Sequence, residues 1–399
     1  MNNDYLLLID GSSLLSTQFF GSLPRQILFA KTVEEKEKYY DKILQTSDGF
    51  YTNGVFGFVK YLLKIIREQK PSHIAIAWDL SRNTFRREIY PEYKGNRGET
   101  MAPLSDQFAI CQEVAKALGI AQFMSGTYEA DDFCGTLAEK FKSDIPVFIM
   151  TKDNDYLQLV DDKTKLWLMH SSAEKTDELY KKYGIDKAKV NAPDRCFVYD
   201  RELIKKEFGI EPENVNSLKG IMGDPSDNIK GVPGVGEKTA LKLITEYGTV
   251  EGEYEHLDDI SGKKLREKLA DNKDKAMLSK ELATINCHVP VEFDEAGFLP
   301  HPREGEVRDL FKQLGFRNLL KRFAAFDRFA FLEQAEETVT LKQLKELKAR
   351  DVKGQTVALA AHYENTPGHS KISTLTLAVE GGVYEVKSED IGQWLTALE

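Results

Sequence analysis

Cysteine is scarce in this 399-residue chain: there are four, and no two of them form a C-x-x-C pair. This scarcity argues against a disulfide framework and a structural zinc site, and it suits a reducing compartment. The N-terminus lacks a basic leader, and its apolar run YLLLI is too short for a signal peptide or a membrane span. The sequence therefore predicts a cytoplasmic protein without a membrane anchor.

Positive charge is also in deficit, because 54 Lys and Arg stand against 64 Asp and Glu, which gives a formal net charge of −10. That balance excludes a generic polyanion binder. An acidic protein still binds nucleic acid where its basic residues are concentrated locally and its acidic residues hold metal ions. The length leaves room for two or three domains.

Three short apolar runs each end in, or just before, a carboxylate. YLLLID ends at Asp10, HIAIAWD ends at Asp79, and PVFIMTKDND supplies Asp153 and Asp155. Short runs rich in Ile, Val and Leu are typical of parallel strands buried on both faces, and helical patterns alternate with them here. We therefore predict an α/β fold with a central, mostly parallel sheet flanked by helices, in which TKLWLMHS is a fourth strand.

Composition divides the chain into three predicted parts. We expect an α/β core over residues 1–200, with TVEEKEKYYDKILQ forming an amphipathic helix on its rim, and a helical subdomain over residues 201–330. A polar stretch at residues 332–340 marks a boundary. Beyond it, residues 338–399 contain three predicted strands, TVALAAHY, ISTLTLAV and GVYEV, which we interpret as part of a further domain.

Acidic residues at the strand ends define a candidate site, because ligands bind outside the carboxyl ends of parallel strands. The motif YEADD at a helix start and two aspartates of the later GDPSDN turn extend the set. Its members are Asp10, Asp79, Glu129, Asp131, Asp132, Asp153, Asp155, Asp224 and Asp227.

So many like charges need cations to neutralise them, and hard divalent ions with oxygen ligands fit that need. Two such ions about 3.5–4 Å apart are a recurrent device for phosphodiester hydrolysis. None of the seven histidines falls in these motifs, so Mg²⁺ or Mn²⁺ is preferred to zinc. Taken singly, each aspartate could instead cap a helix, and YEADD could supply first-turn acids; Glu129 and Asp227 could stand behind the ligands.

The stretch RNTFRREIYPEYKGNR, residues 82–97, has five basic residues against two acidic ones, interleaved with aromatic rings. In isolation this composition also fits a solvated loop. Because it follows Asp79 directly, we interpret it as a phosphate clamp, with Lys94 and Arg97 as catalytic candidates. Arg82, Arg87 and Tyr93 are further candidate DNA contacts, the tyrosine by stacking on a base.

The loop GVPGVGEKT resembles a nucleotide-binding loop, since Gly231 and Gly236 have the separation that such a loop requires. However, Glu237 intervenes before Lys238 and Thr239, and no apolar strand precedes the loop. The alternative is a helix–hairpin–helix, in which backbone N–H groups and a helix N-terminus grip a DNA backbone. Its candidate DNA contacts are Gly231, Gly234, Gly236, Lys238 and Thr239.

Together these motifs resemble the 5′-nuclease domain of bacterial DNA polymerase I, within the flap-endonuclease superfamily. The similarity runs from LLLIDGSSLL through TFRREIYPEYKGNR, YEADD, TKDNDYLQLV and GIMGDPSDNIKGVPGVGEKTALKLI to LSKELATINCHVPVEF, over roughly residues 5–326. It implies a structure-specific 5′–3′ exonuclease and flap endonuclease. The implied metal ligands are the nine carboxylates, the basic arch residues are Arg86, Lys94 and Arg97, and the hairpin glycines are Gly231, Gly234 and Gly236.

The resemblance also implies substrates, cofactors and context. It implies DNA with 5′ flaps, nicks or RNA primers as substrate, in replication and repair, two or more Mg²⁺ or Mn²⁺ ions, and a K⁺ ion at the hairpin. It implies a monomer with no small-molecule cofactor, as the N-terminal part of a polymerase. The tail resembles the start of a 3′–5′ exonuclease-like domain, but Ala360 and His362 stand where active versions have Asp-x-Glu, so we expect it to be inactive. The alternatives are a non-catalytic DNA-junction binder and, less favoured, a ribonuclease or toxin of the related small fold.

Overall fold

A computed structural model describes residues 4–293, 298, 300–316 and 319, together with four strands between residues 341 and 387. The chain divides into two compact units, Met1–Leu332 and Glu333–Glu399. Among the described residues, every helix is too short or too polar to cross a lipid bilayer.

The first unit is built on a six-stranded sheet, which confirms the predicted fold class. Its strands are β1 Leu6–Asp10, β2 His73–Asp79, β3 Ala121–Ser125, β4 Val147–Thr151, β5 Thr164–Met169 and β6 Cys196–Tyr199. The spatial order is β3-β2-β1-β4-β5-β6, and only the β5–β6 pair is antiparallel.

Burial on both faces explains why the central strands are continuously apolar. Every residue of β1 is buried, and Leu7 and Ile9 face one core cluster while Leu6 and Leu8 face the other. The strands β3 and β6 were not predicted from the sequence. The first is only partly buried and mixes polar with apolar residues, and the second is four residues long, so neither has a distinctive pattern.

Nine α-helices lie within the described residues 4–208, eight of them before or between the strands of the sheet and the ninth directly after β6. They are α1 Gly11–Gly21, α2 Arg25–Phe29, α3 Val33–Glu37, α4 Asn53–Gln69, α5 Phe85–Ile89, α6 Ala102–Ala117, α7 Ala130–Phe141, α8 Ala173–Tyr183 and α9 Arg201–Phe208. The helices α1, α4 and α6 cover one face of the sheet, and α7 covers the other. The helical patterns predicted for α4, α6 and α7 are confirmed.

The predicted single rim helix over TVEEKEKYYDKILQ is wrong. The helix α3 spans only five residues, a 3₁₀ turn follows at Tyr40–Lys42, and the backbone is extended at Ile43. No residue of α3 is buried, whereas Ile43 is buried in the core. Anchoring Ile43 requires the chain to leave the helical path, and a short solvated helix has little else to stabilise it.

The region predicted to be helical, residues 201–330, contains α9 and six further helices among the residues described. They are α10 Val215–Met222, α11 Glu237–Tyr247, α12 Val250–Glu255, α13 Lys263–Asp271, α14 Lys273–Ala283 and α15 Glu304–Gln313. The helix α10 packs along α14, and buried side chains of α10, α11 and α14 share one core cluster with α7. This continuous core fixes the region against the sheet. The domain limits at residues 200 and 330 remain predictions.

The second unit contains a four-stranded sheet. Its strands are β7 Leu341–Gln343, β8 Ala358–Tyr363, β9 Ile372–Val379 and β10 Gly382–Lys387, in the order β7-β10-β9-β8. The three predicted strands are confirmed, and Ala360 and His362 lie on β8. Whether the unit is an inactive exonuclease-like domain stays a prediction.

Candidate active site

A polar cleft of about 220 Å³ opens at the carboxyl ends of the parallel strands. The end of β1 supplies Asp10, the end of β2 supplies Asp79, and the turn after β4 supplies Asp153. The cleft is lined by Asp10, Ser12, Ser13, Ser16, Asp79, Lys94, Arg97, Glu129, Ala130, Asp131, Asp153 and Tyr156. Five of the nine predicted carboxylates therefore share one cavity with two of the predicted basic residues.

Four of these acids, Asp10, Asp79, Asp131 and Asp153, are here named the inner carboxylates. Asp10 caps α1 by accepting from Ser13 N at 2.8 Å, and it accepts from Thr151 Oγ1 at 2.7 Å. Asp79 accepts from the Ala130 backbone N at 2.9 Å. Capping a helix and contributing to a site are therefore compatible roles for these residues, because capping fixes the carboxylates where they border the cleft.

Cationic partners are sparse around the inner carboxylates. In the described part of the chain no Lys, Arg or His lies within ion-pair distance of Asp10, Asp79 or Asp153, and the nearest contact to Asp131 is Arg86 Nη1 at 3.9 Å. Burial, with Asp79 close by, raises the pKa of Asp10 to about 7. Burial likewise raises the pKa of Asp131 far above its ordinary value. Negative charge is therefore under-neutralised in this half of the site.

Four of the five remaining acids, Glu129, Asp155, Asp224 and Asp227, are here named the outer carboxylates, and each has a basic partner. The ion pairs are Lys94 Nζ to Glu129 at 2.7 Å, Arg97 Nη2 to Asp227 at 2.5 Å, Lys219 Nζ to Asp224 at 2.6 Å, and Lys219 Nζ to Asp155. Burial would raise the pKa of Asp224, but Lys219 lowers it below its usual range. Lys94 and Arg86 do the same for the pKa of Glu129.

The donor chemistry of the cleft fits a hard divalent cation. Its acidic ligands are carboxylate oxygens on four separate segments, partly desolvated and short of positive charge. Among the residues that the structure describes, no three His, Cys, Asp or Glu side chains converge closely enough to hold an ion as they stand. Binding would therefore need side-chain rotation or bridging waters, which Mg²⁺ commonly retains.

Two predicted site residues lie in the protein interior. Arg86 is 1% exposed and donates to both Asp132 oxygens, at 2.7 and 2.8 Å, and to the carbonyls of Leu282 and Thr284. Asp132 is fully buried and also accepts from the backbone N of Glu129 and of Asn286.

In this arrangement Arg86 does not line the cleft, and both oxygens of Asp132 accept hydrogen bonds. The structure thus places Arg86 and Asp132 in the interior, and their roles as phosphate contact and metal ligand stay predictions. The pair joins α5 and α7 to the segment after α14, as a positioning hub.

The basic stretch lies against the GDPSDN turn. Lys94, with a left-handed φ of 52°, donates its backbone N–H to the Asp227 carbonyl at 2.8 Å, and Asn96 donates to the Pro225 carbonyl at 2.7 Å. These contacts hold the side chains of Lys94 and Arg97 at the cleft. Basic groups are thus presented beside the inner carboxylates, where a phosphate would be drawn.

Tyr93 does not offer a stacking surface. It is 3% exposed, and its hydroxyl donates to Glu129 and Asp227, each at 3.2 Å. Its ring fills a small apolar cluster under the stretch, and its role as a DNA contact stays a prediction. Arg82 is exposed and bonds the Gly98 carbonyl at 2.8 Å, and Arg87 bonds the Tyr93 carbonyl at 3.0 Å. Their roles as DNA contacts remain predictions.

The glycine-rich loop joins α10 to α11, so a helix and not a strand precedes it. A nucleotide-binding loop lies between a strand and a helix, so this connection argues against one and fits a helix–hairpin–helix. Gly231 has φ +61°, and a Cβ there would lie 2.3 Å from the Gly223 N, so only glycine permits the crossing. Gly234, Gly236 and Lys238 are exposed and Thr239 is half-buried, whereas Gly231 is buried inside the turn.

Some residues around the site were missed by sequence reasoning. Ser12, Ser13 and Ser16 line the cleft, and Ser12 Oγ accepts from the Asp79 N at 2.9 Å. The serine-rich start of α1, directly after Asp10, was a usable signal. Lys219 bridges two outer carboxylates, but nothing in its helical context distinguishes it from a solvated lysine.

Comparison with known families agrees with this geometry. Residues 5–187 match the 5′–3′ exonuclease N-terminal resolvase-like domain, and residues 210–304 match the 5′–3′ exonuclease C-terminal SAM fold. A Bacillus subtilis 5′–3′ exonuclease is 34% identical over 291 residues, which cover 73% of this chain and 86% of that protein. The chain belongs to the 5′–3′ exonuclease family and is a nuclease.

Longer relatives and one solved structure extend the comparison. DNA polymerase I of Bacillus subtilis is 34% identical over 98% of this chain and 41% of the relative, and DNA polymerase I of Bacillus caldotenax is 38% identical over 79% and 32%. The chain therefore spans less than half of these polymerases. A crystal structure of the T5 D15 protein co-crystallized with metal ions shares the fold, with a TM-score of 0.50 at 19% identity over 82% of this chain and all of that one.

Proposed function

We propose that this chain is a divalent-metal-dependent, structure-specific 5′ nuclease that hydrolyses DNA phosphodiesters at 5′ flaps, nicks and RNA primers. The observation that carries the proposal is the cleft in which the inner carboxylates lie beside Lys94 and Arg97. A cavity that places acids without basic partners among the described residues next to two basic side chains suits a substrate whose phosphate is bound through metal ions and basic side chains together.

The residues divide the work between holding metal and holding phosphate. The inner carboxylates would hold Mg²⁺ or Mn²⁺, and the outer carboxylates would hold a second ion. Bound there, such ions activate water and stabilise the leaving oxygen. The T5 D15 protein, which shares the fold, was crystallised with metal ions, and this is consistent with the assignment.

Lys94 and Arg97 would orient the scissile phosphate and offset the charge that develops on it. Lys94 is well placed for this, since its side chain is partly exposed while Glu129 and Asp227 hold it over the cleft. The acids around Lys94 raise its pKa well above the ordinary value against the effect of burial, so the ammonium stays charged.

The hairpin would grip the duplex at a distance from the cut. Exposed backbone at Gly234 and Gly236, the N-terminus of α11 and the Lys238 ammonium all favour phosphate contacts without sequence readout. A K⁺ ion at this hairpin is a further part of the proposal; replacing K⁺ by Na⁺ at equal ionic strength should weaken DNA binding, and equal affinity would argue against it.

The similarity to DNA polymerase I supports a role in replication and repair as the N-terminal part of such an enzyme. We further propose that the chain acts as a cytoplasmic monomer. Sedimentation of the chain alone and with flap DNA checks the monomer, since a stable dimer in both samples would contradict it.

Cleavage of a 5′-flap oligonucleotide in Mg²⁺ tests the function. We expect the wild-type chain to cleave near the flap junction and to stop when EDTA is added. The Asp153→Asn, Asp155→Asn double variant should bind the flap but not cut it. Robust cleavage by that variant would sink the assignment.

A matched control is Asp177→Asn. This aspartate lies on α8 and forms an exposed ion pair with Lys187, with 58% of its side chain accessible. The substitution makes the same Asp-to-Asn change at one site away from the cleft, and it should leave cleavage unchanged.

A further inference from the structure

Lys219 occupies an unusual position among the acids. It projects from α10, and its Nζ donates both to Asp155, in the turn after β4, and to Asp224, in the turn after α10. Only 12% of its side chain is accessible. One ammonium group therefore joins two carboxylates from segments that are 69 residues apart in the chain (224 − 155).

This lysine is charged despite its burial. Its ammonium lies between the Asp155 and Asp224 carboxylates, and both contacts favour the charged form. A lysine ammonium is a compact point charge, closer in shape to a metal ion than a guanidinium is. Its two carboxylate contacts resemble the way in which a cation would bridge the same pair.

The inner carboxylates have no equivalent of Lys219. Asp153 lies only two residues from Asp155, yet no basic side chain in the described ranges pairs with it. A divalent ion that binds the inner carboxylates therefore meets side chains that, apart from the 3.9 Å contact to Asp131, are not paired with a basic residue of the described chain. One that binds between Asp155 and Asp224 meets two acids that a tethered cation already contacts.

We propose that Lys219 is a built-in counter-cation that holds Asp155 and Asp224 together without metal and competes with a divalent ion for them. This proposal rests on the proposed metal-dependent function and adds a regulation to it. The chain fills its inner site first. It takes up a second ion only when the Lys219 ammonium leaves its two acids, so the second ion binds more weakly.

Mn²⁺ titration of the full chain without DNA, followed by electron paramagnetic resonance of free Mn²⁺, tests the proposal. Wild type should show one tighter and one weaker class of site. Lys219→Met keeps the length of the side chain and removes the charge. It should tighten the weaker class by about tenfold or more and leave the tighter class within about twofold, since only the competing charge has gone.

Two variants separate the possible failures. Lys219→Arg keeps the charge and should retain a weak second class, whereas Asp10→Asn should lose the tighter class. A second class unchanged or weakened in Lys219→Met, with the tighter class still dependent on Asp10, overturns the competition and leaves the proposed function standing. No Mn²⁺ binding by wild type at all overturns both.

A second measurement needs no variant. An amine-reactive ester, read out by peptide mass spectrometry, should label Lys219 slowly in EDTA and several-fold faster at saturating Mn²⁺, when its acids are occupied. Lys187, with 44% of its side chain accessible, is an internal control whose labelling should not respond. Equal labelling of Lys219 in both conditions would contradict the displacement.

Discussion

Asp153 and Asp155 stand two residues apart in the same turn, yet only one of them is paired with a basic side chain in the described part of the chain. Asp153 borders the cleft, with no basic partner in the described part of the chain, whereas Asp155 is paired with Lys219. The same contrast extends to the two sets: inner carboxylates leave their charge for a cation to be bound, and outer carboxylates carry protein cations already. The difference teaches that a count of acids does not by itself give a count of metal sites.

The largest effect should follow from damage to the inner set. We expect Asp153→Asn to lower the single-turnover cleavage rate of a flap substrate by about 10³-fold or more, because a ligand to the essential ion is lost. Asp224→Asn should cost less, about 10–100-fold, because Lys219 and the first ion remain. Rapid-quench kinetics at saturating DNA compare the two. Equal losses would remove the distinction between the sets.

The second prediction concerns Lys94, which lies beside both the inner and the outer carboxylates. Lys94→Ala should lower the cleavage rate by about 10²-fold while changing DNA affinity by less than about threefold, as expected for a contact that strengthens in the transition state. Rates at saturating substrate and binding in Ca²⁺ separate the two quantities. A loss confined to affinity would argue that Lys94 merely binds DNA.

The buried hub shows what happens when an acid and its cation are both sealed from water. Asp132→Ala leaves the Arg86 guanidinium unpaired in the interior, and it should lower the free energy of unfolding by about 3–5 kcal/mol. The Asp132→Ala, Arg86→Met double variant should recover part of that loss. Urea unfolding of both variants measures the difference, and a loss below about 1 kcal/mol for Asp132→Ala would show that the hub is dispensable.

Glu253 extends the comparison to an acid that is buried away from the cleft and has no basic partner among the described residues. It is fully buried on α12, neither carboxylate oxygen has a hydrogen-bond partner among the residues that the structure describes, and burial raises its pKa from 4.5 to about 7. The folded protein therefore holds this proton more tightly than the unfolded chain does. Its contribution to stability is greatest below pH 4.5 and falls as the pH rises towards 7.

Replacing this acid by its neutral isostere tests that sign. Glu253→Gln should be more stable than wild type by roughly 1–3 kcal/mol at pH 8, and the advantage should vanish near pH 4.5. Urea unfolding in EDTA across this pH range gives the difference curve. Two parallel curves would mean that Glu253 does not carry a shifted proton.

The smallest effect belongs to the hairpin, which lies outside both sets. Lys238→Ala should weaken DNA binding by about 3–10-fold and make its salt dependence shallower by about one unit of slope, with cleavage at saturating DNA nearly intact. Fluorescence anisotropy at several salt concentrations measures this. An unchanged slope would place Lys238 away from the phosphates.

Much of the scaffold could be predicted because its strands and helices follow from hydrophobic patterns that are local in the sequence. The runs that became β1, β2 and β4 end in Asp10, Asp79 and just before Asp153, and parallel strands bring such ends to one edge. The hairpin between α10 and α11 was expected because Glu237 interrupts the nucleotide-binding pattern and no apolar strand precedes the loop. The short strands β3 and β6 carry too few residues for a periodic signal, so they were missed.

The charge states of the site could not be predicted, because they depend on contacts between distant segments. Lys219 meets Asp155 across 64 residues, and Arg86 meets the Thr284 carbonyl across 198. Composition placed Arg86 and Tyr93 on a basic, aromatic surface, yet folding buries both. The candidate acids could be identified from the sequence. Only the folded structure shows which of them are paired with a basic side chain and which are not.

Anomalous diffraction from crystals soaked in Mn²⁺ is the most direct test of the central claim. At low Mn²⁺ we predict one strong peak among Asp10, Asp79, Asp131 and Asp153, with Lys219 still between Asp155 and Asp224. At high Mn²⁺ a second peak should appear beside Asp155 and Asp224, with Lys219 displaced. A first peak at the outer carboxylates, or none at the inner ones, would contradict the account.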